Sequence, residues 1–159
     1  MQIAAQRGIR TVNVVRRDSA VAGVEEQGGD VTLVDGPDLH KRVKEATGGA
    51  PSSWESTPGG AATDHLASCL TEGAPVVNYG MMSGEPCQMS PANVVFRDVS
   101  LKGFWLARWF SKASKEDQMT IYGQVTQQIA SGKLKAKIAA EYDVSRIKDA
   151  VAAAASGGA

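Results

Sequence analysis

No stretch of this chain approaches the roughly 20 consecutive apolar residues of a membrane-spanning helix. The opening MQIAAQRGIRTVNVV has neither a continuous apolar segment nor a small-residue cleavage site, so it does not read as a secretory signal. Charge of one sign is also missing, because 17 Lys and Arg face 17 Asp and Glu. That balance removes the long-range pull towards nucleic acid or an anionic membrane, and neither is expected as a partner. Cysteine is scarce. Cys69 and Cys87 stand too far apart for a C-x-x-C site, and His40 and His65 add no ligand spacing, so no metal site is expected. Two unlinked thiols fit a reducing compartment. There is no internal repeat, and the one biased stretch is the Ala- and Gly-rich tail from Ala150 to Ala159.

What is present is ordinary for a soluble globular domain: 159 residues, 43% hydrophobic and 21% charged. Short β-branched runs alternate with helical patterns. Gln2 to Arg7 reads as a helix end stopped by Gly8, and Arg10 to Val15 as a strand. Ser19 to Gln27 is helical and Asp30 to Val34 is a second strand. Pro37 to Thr47 is a charged amphipathic helix with proline in its first turn. Ala61 to Leu70 is helical; Pro75 to Tyr79 and Val99 to Phe104 are strands. Ser114, with Asp117 three residues on, opens a helix to Ser131 that Gly132 ends. A last helix is expected over Ser145 to Ala155, with Ser145 as its N-cap. Strands alternating with helices at this spacing predict βαβ units and, through right-handed crossovers, a doubly wound parallel α/β sheet. Asp64, His65 and Glu141 are acid/base residue types, but nothing pairs them at a useful spacing. His65 reads as a helix-surface residue, and no catalytic residue is assigned.

Three segments carry a resemblance: RGIRTVNVVRRD (Arg7 to Asp18), GGAATDHLASCLTEGAPVVNYGMMSGEP (Gly59 to Pro86) and FRDVSLKGFWLARWF (Phe96 to Phe110). Together they resemble the medium-chain dehydrogenase/reductase superfamily in its 2-enoyl thioester reductase branch. Gly-Phe-Trp-Leu at a strand end, with a second Trp soon after, is the narrowest of these features. The resemblance implies NADPH-dependent reduction of a trans-2-enoyl thioester, carried by CoA or acyl carrier protein, without a metal. It implies a soluble enzyme, cytoplasmic in a bacterium and mitochondrial in a eukaryote. The runner-up is a quinone or enone oxidoreductase, or a zinc-free alcohol dehydrogenase-like protein, of the same superfamily. A non-catalytic dimerising module is the alternative outside enzymes.

Carried onto this chain, the resemblance implies cofactor contacts in three places. Arg16, Arg17 and Asp18 follow the Val12–Val15 run, where arginine suits a 2′-phosphate and an acidic residue a ribose hydroxyl. The family often reads Asp-Arg where this chain reads Arg17-Asp18. Tyr79, Gly80, Met81 and Met82 match a turn beside the nicotinamide, with Met81 where a second glycine is common. Phe104, Trp105 and Leu106 match the segment closing over the nicotinamide, with backbone groups doing most of the contacting. The Val99 to Phe104 strand is also the implied homodimer edge.

Against this family pattern the chain is incomplete. Met1 falls inside the first helix, so the first strand and its Gly-rich phosphate loop are expected upstream, along with the proton-donating tyrosine of the substrate domain. The expected fold is therefore an incomplete Rossmann-type sheet. Residues 1–135 form part of the nucleotide-binding domain and 136–159 begin the return to the substrate domain. Such a chain is expected to be inactive alone and only marginally stable. Pro51 to Pro58, PSSWESTP, falls where the family has an apolar fourth strand. Prolines and Glu55 do not suit a central strand. A permitted codon path, read from the third base, spells Ile-Lys-Leu-Gly-Ile-Asn-Ala. A compensated local frameshift is the expectation, with strand four destroyed and the sheet split into a two-three pair and a five-six pair.

Overall fold

The structure, a computed structural model, describes every residue except 51, 53–54, 58, 81–83 and 157–159, with the backbone alone at 55–57. The chain divides into two units, Met1–Ile121 and Tyr122–Ala159. In the first, α1 (Gln2–Gln6) leads to β1 (Val12–Val15), α2 (Val21–Glu26) and β2 (Val31–Val34). β1 and β2 pair in parallel, with Val12 opposite Val31 and Val15 opposite Val34. Valine-rich runs suit such a ladder, because branched side chains pack on the pleated surface. Gly29 is required where the chain leaves α2. A Cβ there would stand 2.7 Å from the Asn13 amide nitrogen and 3.1 Å from the Val24 carbonyl oxygen. α3 (Leu39–Thr47) follows and buries Leu39 and Val43, four residues apart on one face. Gly48, at φ 66°, ends it in the left-handed conformation.

The second sheet has the order β3-β4-β5, with β3 (Glu55–Thr57), β4 (Pro75–Asn78) and β5 (Ser100–Gly103) all parallel. β3 corrects the expectation for 51–58. Glu55 lies opposite Val76 and Thr57 opposite Asn78, so a fourth-strand ladder exists despite the polar composition. Pro51 and Pro58 fall outside the three paired residues, and β3 lies at the edge of its sheet. An edge strand needs one ladder only, which the backbone supplies whatever the side chains. The described strands are thus a pair and a triplet, not two pairs.

α4 (Ala62–Cys69) holds the two sheets in one unit. Its Leu66 joins Leu39 and Val43 against Val12, Val14 and Leu33. Its Ala67 joins Leu70, Ala74, Val76 and Val99 in the other core. Among these, each fully buried leucine or valine contributes roughly 1.5–3 kcal/mol. A wound turn over Ala92–Phe96 precedes β5, and α5 (Leu106–Lys112) follows it. α5 was absent from the sequence reading, because its aromatic residues resemble a strand exit as much as a helix.

α6 (Lys115–Ala130) starts as the sequence predicts. The Asp117 N–H donates to the Ser114 hydroxyl oxygen at 3.0 Å, and that hydroxyl donates to the Asp117 carboxylate at 2.6 Å. Gly132, at φ 70°, follows its end. The second unit closes with a turn at Val144–Arg146 and α7 (Ile147–Ala155). Here the cap is Asp143, not Ser145. The Asp143 carboxylate accepts the Ser145 N–H at 2.9 Å and the Ser145 hydroxyl as well, because a charged oxygen outcompetes a neutral one.

Candidate functional site

In a parallel sheet the strand C-termini point their loops to one side, and ligands bind there. Arg16 follows β1 directly, and Asp35 follows β2. A cavity of about 340 Å³ opens at this end, lined by Arg16, Asp35, Gly36, the Gly59–Ala62 stretch entering α4, and Glu85. Arg16 is exposed, and its guanidinium makes no hydrogen bond or ion pair with any described residue. Arg17 and Asp18 are exposed beside it, with Asp18 opening the Asp18–Ala20 turn that leads into α2. An unpaired guanidinium at the mouth of a cavity is suited to an anion.

Tyr79 and Gly80 lie at the matching end of the second sheet. The Gly80 N–H donates to the Asn78 side-chain oxygen at 2.9 Å, which turns the chain sharply out of β4. The Phe104 N–H donates to the Asn78 carbonyl at 2.8 Å, so the β4-β5 ladder continues to Phe104. Tyr79, Gly80, Phe104, Trp105 and Leu106 therefore gather at one strand end. Tyr79 is 55% and Trp105 71% exposed, so these rings do not form a closed aromatic core. Met81 and Met82 lie outside the described residues.

Two residues that the sequence leaves unpaired have partners here. His65 is more than a surface residue. Its Nδ1 lies 2.8 Å from the Asp35 carboxylate, with both side chains partly covered. Asp64 accepts the Ser90 N–H at 2.7 Å and the Asn93 side-chain amide at 2.8 Å. Burial raises the Asp64 carboxyl, but these donors outweigh it and hold it below the ordinary carboxylate value. Asn93 passes the network on to Arg97, which also donates to the Ala67 and Leu70 carbonyls at the end of α4. That network is structural, tying α4 to the turn before β5. Asp35, Gly36, Gly59 and Gly60 line the cavity but are not among the cofactor residues that the resemblance implies. The available signal was position, since Asp35 follows its strand as Arg16 follows its own.

Among the described residues no three His, Cys, Asp or Glu come together to hold a metal ion. No helix among them is long and apolar enough to cross a membrane.

Comparison with known proteins places these features. A family model described as zinc-binding dehydrogenase matches residues 1–120. The mitochondrial enoyl-(acyl-carrier-protein) reductase of Caenorhabditis elegans is 34% identical over 140 residues, covering 85% of this chain and 40% of that protein. The chain thus spans about two fifths of that relative's length. Among solved structures, an Etr1p complex with NADP and crotonyl-CoA aligns at TM-score 0.82 with 21% identity, over 98% of this chain and 47% of that one. An NADPH:quinone reductase assigned in Bacillus thuringiensis aligns at TM-score 0.80 with 20% identity, over 94% and 46%. At these identities the structures show the shared fold.

Proposed function

Because the chain belongs to the zinc-binding dehydrogenase family, we propose that it is the nucleotide-binding part of an NADPH-dependent trans-2-enoyl thioester reductase. The observation that carries this reading is the unpaired Arg16 at the cavity mouth beyond β1. Identity to a mitochondrial enoyl-(acyl-carrier-protein) reductase supports it. The family's name includes zinc, but the described residues bring no three His, Cys, Asp or Glu side chains together and do not fit that ion.

NADPH, when bound, supplies the hydride equivalent for the double bond of a CoA- or carrier-protein-bound enoyl chain. The residues of this chain hold and orient it. Arg16, with Arg17 beside it, pairs with the 2′-phosphate, and the Asp18 carboxylate is suited to a ribose hydroxyl. Gly80 lets the backbone approach the nicotinamide closely beside Tyr79, and Met81 and Met82, next in the sequence, belong to the same proposed contact. The backbone of Phe104, Trp105 and Leu106 covers the nicotinamide side. Residues 1–135 belong to the nucleotide-binding domain and 136–159 begin the return to the substrate domain. The exposed β5 edge, with Leu101 and Phe104 each nearly half exposed, serves a homodimer. Such an enzyme works in the cytoplasm of a bacterium or the mitochondrion of a eukaryote.

Titration of the chain with 2′,5′-ADP and with 5′-ADP tests the phosphate reading. The 2′-phosphate is expected to tighten binding about tenfold or more, from a charge-assisted bond of roughly 1.5–3 kcal/mol. The double change Arg16→Ala, Arg17→Ala is expected to abolish the preference, and an unchanged ratio refutes it. The chain alone is expected not to oxidise NADPH with crotonyl-CoA, as followed by cofactor absorbance. Turnover above the thermal background would show a complete active site. The likeness to a quinone reductase fold favours one second reading, reduction of a quinone or enone. Substrate profiling of the longer protein decides between the two.

A further inference from the structure

We infer that His65 keeps Arg16 available for the phosphate by holding the Asp35 carboxylate away from it. This rests on the phosphate reading of Arg16 above and adds the residues that set its strength.

The two sheet ends make the problem plain. Val15 and Val34 are register partners, and the Asp35 N–H donates to the Val15 carbonyl at 2.7 Å, so the ladder runs to the last residue before the loops. Arg16 and Asp35 therefore leave neighbouring strands roughly 5 Å apart, side by side, with opposite charges. Carboxylate and guanidinium form strong paired hydrogen bonds. An ion pair between them would fill the acceptor need of Asp35 and neutralise the cation that faces the cavity.

The structure shows a different pairing. Asp35 Oδ1 accepts the Gly36 N–H at 2.8 Å and meets His65 Nδ1 at 2.8 Å. A carboxylate only accepts, so Nδ1 carries the proton. No ion pair between Arg16 and Asp35 occurs. The other guanidinium at this strand end, Arg42, is engaged with the carbonyls of Val34 and Pro37. His65 stands on α4, whose neighbouring Leu66 and Ala67 are buried in the two cores, so its position is set by packing. Asp35 and Glu85 line the same cavity as Arg16. Without His65, Asp35 is left beside Arg16, the unpaired cation that lines the same cavity at the neighbouring strand end. His65 is thus a positioning residue, acting through Asp35 on the selectivity of Arg16.

The test is binding of 2′,5′-ADP and 5′-ADP to the 159-residue chain and its variants, with folding checked by far-UV circular dichroism. His65→Leu is expected to lower the 2′,5′-ADP to 5′-ADP preference about tenfold, with 5′-ADP affinity nearly unchanged. Adding Asp35→Asn to His65→Leu is expected to restore the preference, since no carboxylate remains to capture Arg16. His65→Gln, which keeps a donor, is expected to retain it. Asp35→Asn alone covers the case in which His65→Leu does not fold, and it is expected to keep or raise the preference. Wild-type chain that does not distinguish the two nucleotides overturns the phosphate reading and this inference together. Wild-type selectivity that His65→Leu leaves intact overturns this inference alone. So does a loss in His65→Leu that Asp35→Asn fails to restore, or a loss in Asp35→Asn itself.

Discussion

β1, in the first sheet, and β4, in the second, are both valine-bearing strands and end up differently buried. In β1 and β2 every residue is half-buried. In β4, which has a strand on each side, Val76 is fully buried. β4 is no richer in valine than β1, but it has two neighbouring strands where β1 has one. A strand becomes core only when ladders on both edges and a helix on its face exclude water. The cavity of about 330 Å³ along Val12–Val15, reaching Leu66, marks where β1 has room on its unpaired side.

The sharpest break of this comparison is one deletion made in both places. Val76→Ala is expected to cost about 2–3 kcal/mol, from two lost methyl groups plus a cavity. Val14→Ala is expected to cost about 1 kcal/mol or less, because its surroundings are already open. Denaturant unfolding of both variants measures the difference, and equal losses would mean that the β1 side is covered after all.

A smaller effect is expected at Asp64, which ties α4 to the turn before β5. Asp64→Asn is expected to cost about 1–2 kcal/mol at neutral pH. The folded carboxyl lies below its unfolded value, so its contribution is present above the ordinary carboxylate range. It is lost as pH falls through the lower folded value. Wild type and Asp64→Asn are therefore expected to converge in strongly acidic buffer; a gap that persists there assigns the effect to packing. Smallest is Ser114→Ala. Loss of the cap at α6 is expected to cost about 1 kcal/mol, readable as reduced helicity.

Much of the fold was legible in the chain itself. Val12, Val14 and Val15 mark β1, Gly8 and Gly132 mark helix ends, and Ser114 with Asp117 marks the start of α6. Each is a local signal, acting within a turn of helix or one strand. β3 was not legible, because its ladder is made by backbone atoms while Glu55, Ser56 and Thr57 advertise a loop. The Asp143 cap was missed because two capping residues stand two positions apart and only geometry chooses. At the candidate site the resemblance pointed to Arg16, and the structure sets it at a cavity. The Asp35–His65 pair could not be read, because its partners are 30 residues apart and meet only once β2 and α4 are in place.

α4 belongs to both hydrophobic clusters, through Leu66 on one side and Ala67 on the other. A helix with that position cannot loosen for one sheet and remain docked for the other. The first unit should therefore melt in a single cooperative transition even though its strands form separate ladders. The amides of α4 should be among the last to exchange with deuterium. Cooperativity here comes from a shared helix, where a continuous sheet would ordinarily provide it.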